Sequence, residues 1–253
     1  MAPAAIVTGI GVGIVLDVII GVFAGTNRIS HPGPVLNFAL NAIFDLAFVG
    51  AALYYARQVA RPHPADFGYV RPKLGRAAGL IVGGAIAYYV VTFVYQQLLD
   101  LHATDKLPSA FGSVRTSTLA MLCAAGFVCV VAPIAEEFFF RGFLFGVLRR
   151  WRGPWVAAVL TSILFGAVHA GSAPIEDLIP LGFFGFVLCM VRWRTGSIYP
   201  GMALHSLNNG LALGITDLKW QAGSVLLLIA VSVAVIAALT FPLSAVAQRP
   251  SPA

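Results

Sequence analysis

Charge is scarce in this sequence. Of 253 residues, 10% are Asp, Glu, Lys or Arg and 59% are hydrophobic, whereas soluble domains carry about 25% charged residues. Together with a mean hydropathy of +0.88, this excludes a soluble domain. The net charge of +6 gives no reason to invoke nucleic acid, because the basic residues sit between apolar runs, where membrane topology accounts for them. Cysteine is nearly absent as well. Cys123, Cys129 and Cys189 all lie in apolar runs, which excludes a disulfide framework or a thiolate metal site. No basic residue precedes Arg28, so the N-terminus lacks the charged region of a secretory signal, and 4–24 reads as a retained first span. There is no lipidation motif. Neither Gly-x-Ser-x-Gly nor His-Glu-x-x-His occurs, which argues against a serine hydrolase or a zincin.

What is present is a series of continuous apolar runs. They lack the alternation of a membrane β-barrel, and each is long enough for a helix of about 20 residues. The expected fold is therefore all-α, a polytopic membrane bundle of about eight helices in a single domain, 1–253, without internal repeats. The spans read as 4–24, 35–56, 77–99, 118–148, 154–170, 178–191, 197–215 and 221–246. Basic residues decide whether 118–148 crosses once or twice. A single crossing puts Arg57 to Arg76, Arg149 to Arg152, Arg192, Arg194 and Arg249 on one side, leaving Arg28, Lys106, Arg115 and Lys219 on the other. The expected location is the cell membrane, with the arginine-rich loops and both termini cytoplasmic. Segment 57–76, with its prolines, reads as a surface loop. Glycines at Gly79–Gly83 and Gly182–Gly185 are expected to let helices approach closely.

The run 118–148 holds Glu136-Glu137-Phe-Phe-Phe-Arg141. A charged side chain at bilayer depth costs at least a few kcal/mol, so such residues are paired or functional. Glu137 and Arg141 are four residues apart, in the favourable order for an ion pair. Glu136 lies about 100° round the helix and is expected to point into a polar cavity. A purely structural ion pair would need one carboxylate, and this stretch supplies two. Pro133 is the expected kink point just before them. Asp17 and Asp45 are isolated intramembrane acids, read as hydrogen-bonded packing residues.

Two more polar sets follow. Phe165 and His169 are at i,i+4 spacing, as are His205 and Asn209, so each pair shares a helix face. Counted inward from the arginine-rich ends, Glu136, His169 and Asn209 come out at a common depth of about 20 Å. A site wetted from the cytoplasm is therefore expected. A carboxylate and an imidazole together can deprotonate a water, and a second histidine with an asparagine can donate to an oxyanion. These are the parts of an acyl, most simply peptide, hydrolase.

Glu136-Glu137-x-x-x-Arg141, Phe165-x-x-x-His169 and His205-x-x-x-Asn209 together resemble the three motifs of the CPBP (CAAX-protease and bacteriocin-processing, or Abi) intramembrane proteases, which include type II CAAX prenyl endopeptidases. The resemblance covers roughly 118–215. It implies an eight-helix endopeptidase with Glu136 as catalytic base and His169 helping to activate water. His205 and Asn209 would be oxyanion donors, with Glu137 and Arg141 in support. The implied partner is a membrane-associated or lipidated peptide in the bilayer. Eukaryotic members trim prenylated CAAX proteins, and bacterial ones are linked to bacteriocin maturation or immunity. Members are often called metalloproteases, and Glu136, His169 and His205 could form a zinc site. Arg141 beside the acid and Asn209 beside His205 favour a metal-free reading with no cofactor. A non-proteolytic immunity or partner-binding protein and a proton-relay transporter are the alternatives. No pair of interrupted spans repeats between two halves, as a transporter would require.

Overall fold

The computed structural model describes residues 34–101, 117–170 and 173–248. The expected span at 4–24, with Asp17, lies outside these residues. Within them the chain is nearly all helical and has no strand, only an isolated bridge between Ala170 and Ala173. We number the helices α1 (Pro34–Arg57), α2 (Leu74–Leu98), α3 (Thr118–Gly126), α4 (Ala132–Glu136), α5 (Phe145–Val168), α6 (Leu178–Thr195), α7 (Tyr199–Leu211) and α8 (Ala222–Ala247). Wide π turns join α3 to α4 (Phe127–Val131) and α4 to α5 (Glu137–Leu144), and a third follows α7 (Ala212–Asp217). Four helical stretches are long and apolar enough to cross a membrane: Phe38–Arg57, Leu74–Leu98, Thr118–Val168 and Ala222–Ala247. The side chains they expose are apolar, Val82, Ile86, Val90 and Phe93 on α2 and Leu226, Leu227, Val231 and Leu239 on α8. Only lipid makes such a surface favourable. The protein is an integral membrane protein.

The stretch from Thr118 to Val168 is two antiparallel arms. Gly153 breaks it, with φ 78° and ψ 174°, a backbone region open to glycine but not to other L-residues. Pro154 follows and starts the second arm, where its missing N–H costs nothing. Residues equidistant from Gly153 then face each other: the Arg141 guanidinium lies 4.3 Å from the Phe165 ring centre. The first arm runs from Ala124, packed with Phe38, Leu213 and Leu218, to the arginines at Arg149. It crosses the bundle once.

Segment 57–76 differs from the expected surface loop. A 3₁₀ turn at Pro64–Phe67, capped by His63 and Asp66, folds it inward. Phe67 and Tyr69 become part of the main core, with the Phe67 ring 4.7 Å from that of Phe138. The Ile198 amide donates to Gly68 O at 3.0 Å, and Arg71 Nε donates to Ser244 Oγ at 3.3 Å. This end of the bundle thus gathers segment 57–76, Arg149 to Arg152, Arg192 and Arg194; we call it the basic end. Trp151 and Trp155 are exposed there, the usual site for indoles at a membrane interface.

The glycine expectations divide. Gly79 and Gly83 face no neighbour among the described residues, whereas a Cβ on Gly185 would stand 3.2 Å from the Phe165 side chain, and one on Gly166 2.7 Å from Leu178 O. Gly166 therefore sets the α5–α6 approach, the most extensive helix pair in the bundle.

A single crossing by 118–152 has a direct test. In a variant lacking Cys123, Cys129 and Cys189, Arg61→Cys and Arg150→Cys are predicted to label from the same side of sealed vesicles. Lys219→Cys should label from the other. Opposite labelling of positions 61 and 150 would refute the crossing.

Candidate active site

The site begins with a backbone defect. Pro133 brings no N–H to the carbonyl of Cys129, four residues back. The Ala132 amide reaches past Val128 to Phe127 O, so the Val128 carbonyl is left free too. A free carbonyl in an apolar interior costs several kcal/mol, and α7 supplies both partners. Ser206 Oγ donates to Cys129 O at 2.8 Å, and Asn209 Nδ2 donates to Val128 O at 2.8 Å. The expected kink is thus a π turn, and it fixes α7 against the helix that carries the two glutamates.

Glu137 and Arg141 are wholly buried, with Arg141 Nη1 donating to Glu137 Oε1 at 2.7 Å. Nη2 donates to Gly185 O at 3.1 Å, and the guanidinium lies over the Phe165 ring, so a buried cation meets a carboxylate, a carbonyl and a π face. His205 adds a second bond to the same oxygen, with Nδ1 3.2 Å from Glu137 Oε1. An ionised carboxylate only accepts, so Nδ1 carries a proton. On α7, a Cβ at position 201 would fall 2.5 Å from Glu137 Oε2. Only glycine leaves room there for the carboxylate.

Glu136 points the other way, as expected. Its Oε2 lies 4.0 Å from His169 Nε2 and 3.9 Å from His205 Nε2, and it has no hydrogen-bond partner among the described residues. His169 closes α5, where its Nδ1 lies 2.7 Å from Phe165 O. A carbonyl only accepts, so Nδ1 is the donor; in the neutral ring Nε2 then carries the lone pair, on the side of Glu136. The Phe165-x-x-x-His169 spacing is therefore a helix-end hydrogen bond, reinforced by rings 4.8 Å apart. The structure thus brings Glu136, Glu137, Arg141, His169 and His205 together. Asn209 reaches the same cavity, but one amide hydrogen is already given to Val128 O.

A cavity of about 940 Å³ holds these groups. Phe48, Phe139, Phe140, Phe165 and Phe184 lie on its inner wall, and its sides reach Asn41, Gln96, Ala173, Asp177 and Asp217. All of those are at the end of the bundle away from the arginines. The expected wetting from the arginine-rich side is overturned, because the core around Phe67, Phe138 and Leu188 fills that half. Depth counting missed this because it measured distance from one end without knowing which end was packed. Asp45 is 8% exposed, lines the cavity and leaves Oδ2 without a hydrogen-bond partner among the described residues.

Sequence reasoning missed the α2 wall. Tyr89, Thr92 and Gln96 share a face and line the cavity, and Tyr89 Oη donates to Asn208 Oδ1 at 3.0 Å. Their helical spacing was the available signal. Asp177 and Asp217 at the cavity end have carboxyls raised from the usual range, chiefly by burial; Glu176 adds to this for Asp177, and Lys219 opposes it for Asp217.

Ligands about 2.0–2.1 Å from a tetrahedral ion sit roughly 3.3 Å apart. Each histidine Nε2 is 3.9–4.0 Å from Glu136 Oε2, a gap that one water with bonds of about 2.8 Å spans.

Arg141→Ala leaves Glu137 an unpaired buried charge, for which the cost is about 3–5 kcal/mol. It is expected to lower thermal stability in detergent, and Glu137→Gln added to it should restore part of the loss. Simple addition of the two losses would show that the pair is not coupled. Ser206→Ala should cost about 1–2 kcal/mol, the scale of interhelical bonds in membranes, as read from the same melts.

Residues 118–211 match the family model described as "Type II CAAX prenyl endopeptidase Rce1-like". The chain is similar to the Bacillus subtilis protein named "Putative membrane peptidase YdiL", at 31% identity over 128 residues, which is 51% of this chain and 47% of that protein. It is likewise 29% identical over 130 residues to an Escherichia coli protein named "Uncharacterized 24.3 kDa protein", covering 49% of this chain and 58% of that one. A Bacillus subtilis protein named "Uncharacterized protein YyaK" is 31% identical over 138 residues, 50% of this chain and 44% of that protein. The chain spans about half the length of these relatives. No solved structure matches it. The matched segment contains Glu136, Glu137, Arg141, His169, His205 and Asn209, so the residues of the site lie within the part of the chain that is similar to the Rce1-like family.

Proposed function

We propose that the protein is an intramembrane endopeptidase whose nucleophile is a water held by Glu136 and His169. The observation that carries this reading is Glu136 Oε2, buried and without a hydrogen-bond partner among the described residues, between two imidazole Nε2 atoms at 3.9–4.0 Å. A water there donates one hydrogen to Glu136 and the other to the His169 lone pair, leaving an oxygen lone pair free to attack. As it adds to the scissile carbonyl carbon, Glu136 takes the proton. The carbonyl becomes an oxyanion, and the C–N bond then breaks as Glu136 hands the proton to the departing amine.

His205 and the second amide hydrogen of Asn209 are the proposed oxyanion donors. For His205 this requires a proton on Nε2 as well as on Nδ1, where Glu137 accepts at 3.2 Å. Glu137 and Arg141 hold this arrangement from beneath. The catalytic core is about 118–215, inside a bundle of about eight spans with both termini and the basic end in the cytoplasm. On that topology the cavity end faces outward. The substrate is a membrane-associated or lipidated peptide.

Glu136→Gln keeps the size of the side chain but cannot accept a proton. It is expected to reduce peptide turnover in proteoliposomes by about 10²-fold or more, with normal insertion and an unchanged melting temperature. Wild-type turnover in that variant would remove Glu136 from the mechanism. The metal-free reading has its own measurement: active, detergent-purified protein should hold no stoichiometric zinc and keep its rate after exhaustive chelation. Zinc lost together with activity, and restored with it, would make both histidines ligands.

A further inference from the structure

The proposed mechanism gives Asp45 no task, although the fold brings it to the reacting groups. Asn41, Phe44, Asp45 and Phe48 all line the cavity, and their spacing of three and four residues makes them one face of α1. The Phe38 ring lies 6.2 Å from that of Phe127, and the Phe48 ring 4.6 Å from that of Phe139. Both pairs ascend the sequence together, so α1 runs parallel to the arm that carries Glu136, at a nearly constant register. Asp45 is three residues before Phe48, and Glu136 is three before Phe139. One turn before the same ring contact, the two carboxyls are neighbours, close enough for their charges to interact.

Asp45 is 8% exposed, and its Oδ2 is buried without a hydrogen-bond partner among the described residues. No described lining residue is a Lys or Arg that could neutralise it. An acceptor held in that state costs free energy until a donor arrives. Glu136 Oε2 is in the same condition. A carboxyl keeps an accepting oxygen whether or not it carries a proton, so the two neighbours together suit a group that brings more than one hydrogen.

The reaction makes such a group. Besides the attacking water, the tetrahedral intermediate has two corners to serve, the oxygen and the nitrogen. His205 and Asn209 are assigned to the oxygen, and both come from α7. The nitrogen has one hydrogen in the peptide and gains a second, with positive charge, as Glu136 passes its proton over. A carboxyl oxygen beside Glu136 stabilises that nitrogen more than the amide it came from. Asp45, arriving from α1, is placed to supply it. Asp177 and Asp217 are at the cavity end, and Lys219 already acts on Asp217.

Resting on the proteolytic reading above, we propose that Asp45 is the leaving-group residue: its Oδ2 accepts the N–H of the scissile amide and holds the amine as the C–N bond breaks. The proton still moves from water to Glu136 to nitrogen, so the step needs no further reactant. A substrate whose leaving atom is an ester oxygen brings no N–H and makes no use of Asp45.

The test uses the full-length protein in proteoliposomes, a lipidated quenched fluorogenic peptide, and its depsipeptide with oxygen in place of the scissile N–H. Asp45→Leu is expected to lower kcat/KM for the amide by about tenfold or more and to keep the ester within about twofold of wild type. Its melting temperature should be no lower, since an unpartnered buried acid is removed. Asp45→Asn keeps a carbonyl oxygen and should recover part of the amide rate; if Asp45→Leu does not insert, the amide-to-ester split is read in Asp45→Asn, at about threefold. Glu136→Gln should depress both substrates. A parallel fall in amide and ester, or an amide rate untouched by Asp45→Leu, would overturn the proposal. A short fluorescent apolar peptide with a free N-terminal amine is also compared with its acetylated form in equilibrium binding to detergent-solubilised protein. The amine should bind at least about fivefold more tightly, and Asp45→Leu should remove the difference; equal binding of the two forms would also overturn the proposal. If neither substrate is cleaved while this difference persists, the proteolytic reading fails and the amine site stands.

Discussion

The arrangement depends on one buried ion pair. Glu137 and Arg141 are both inaccessible, 2.7 Å apart, in a region where an unpaired charge costs several kcal/mol. That cost dictates their surroundings. The guanidinium needs Gly185 O and the Phe165 ring; the carboxylate needs the His205 N–H and the space above Gly201. These partners come from three helices, Gly185 from α6, Phe165 from α5, and His205 and Gly201 from α7. The pair therefore ties together the four segments that form the site, and it leaves Glu136 turned about 100° away, facing the cavity.

The second constraint is the Pro133 defect. In water the two exposed carbonyls would be solvated, and the kink would be soft. In an apolar interior they need protein donors, so Ser206 and Asn209 are drawn onto Cys129 O and Val128 O. His205 sits next to Ser206 on the same helix, so the bonds that repair the backbone also place the imidazole between the two glutamates. A structural need and a chemical one are met by a single turn of α7.

Much of this is legible in the residues, and the gaps have physical reasons. Helices from Pro34, Leu74 and Ala222 follow from apolar run length, and the break before Pro154 from its missing donor. The Glu137–Arg141 pair follows from i,i+4 spacing. Spacing could not show that Phe165 serves His169 through its carbonyl as well as its ring, because side-chain patterns carry no backbone hydrogen bonds. It could not show that segment 57–76 folds inward, since the hydrophobic pull of Phe67 and Tyr69 acts across helices. The packed half of the bundle was equally hidden, because the core residues Phe67, Phe138 and Leu188 meet only in three dimensions.

His205 joins the two halves of the site. Its Nδ1 bonds the carboxylate locked by Arg141, and its Nε2 faces the carboxylate that is free. The two glutamates are adjacent in sequence yet differ in environment: one is neutralised by a permanent cation, the other is bordered by titratable imidazoles and an open volume. Such a difference lets neighbouring carboxylates take separate roles, one fixed as a base for hydrogen bonds and one available for proton transfer. On the proposed mechanism, the ion pair at the centre of the fold would reach the chemistry through this single ring, without touching the substrate.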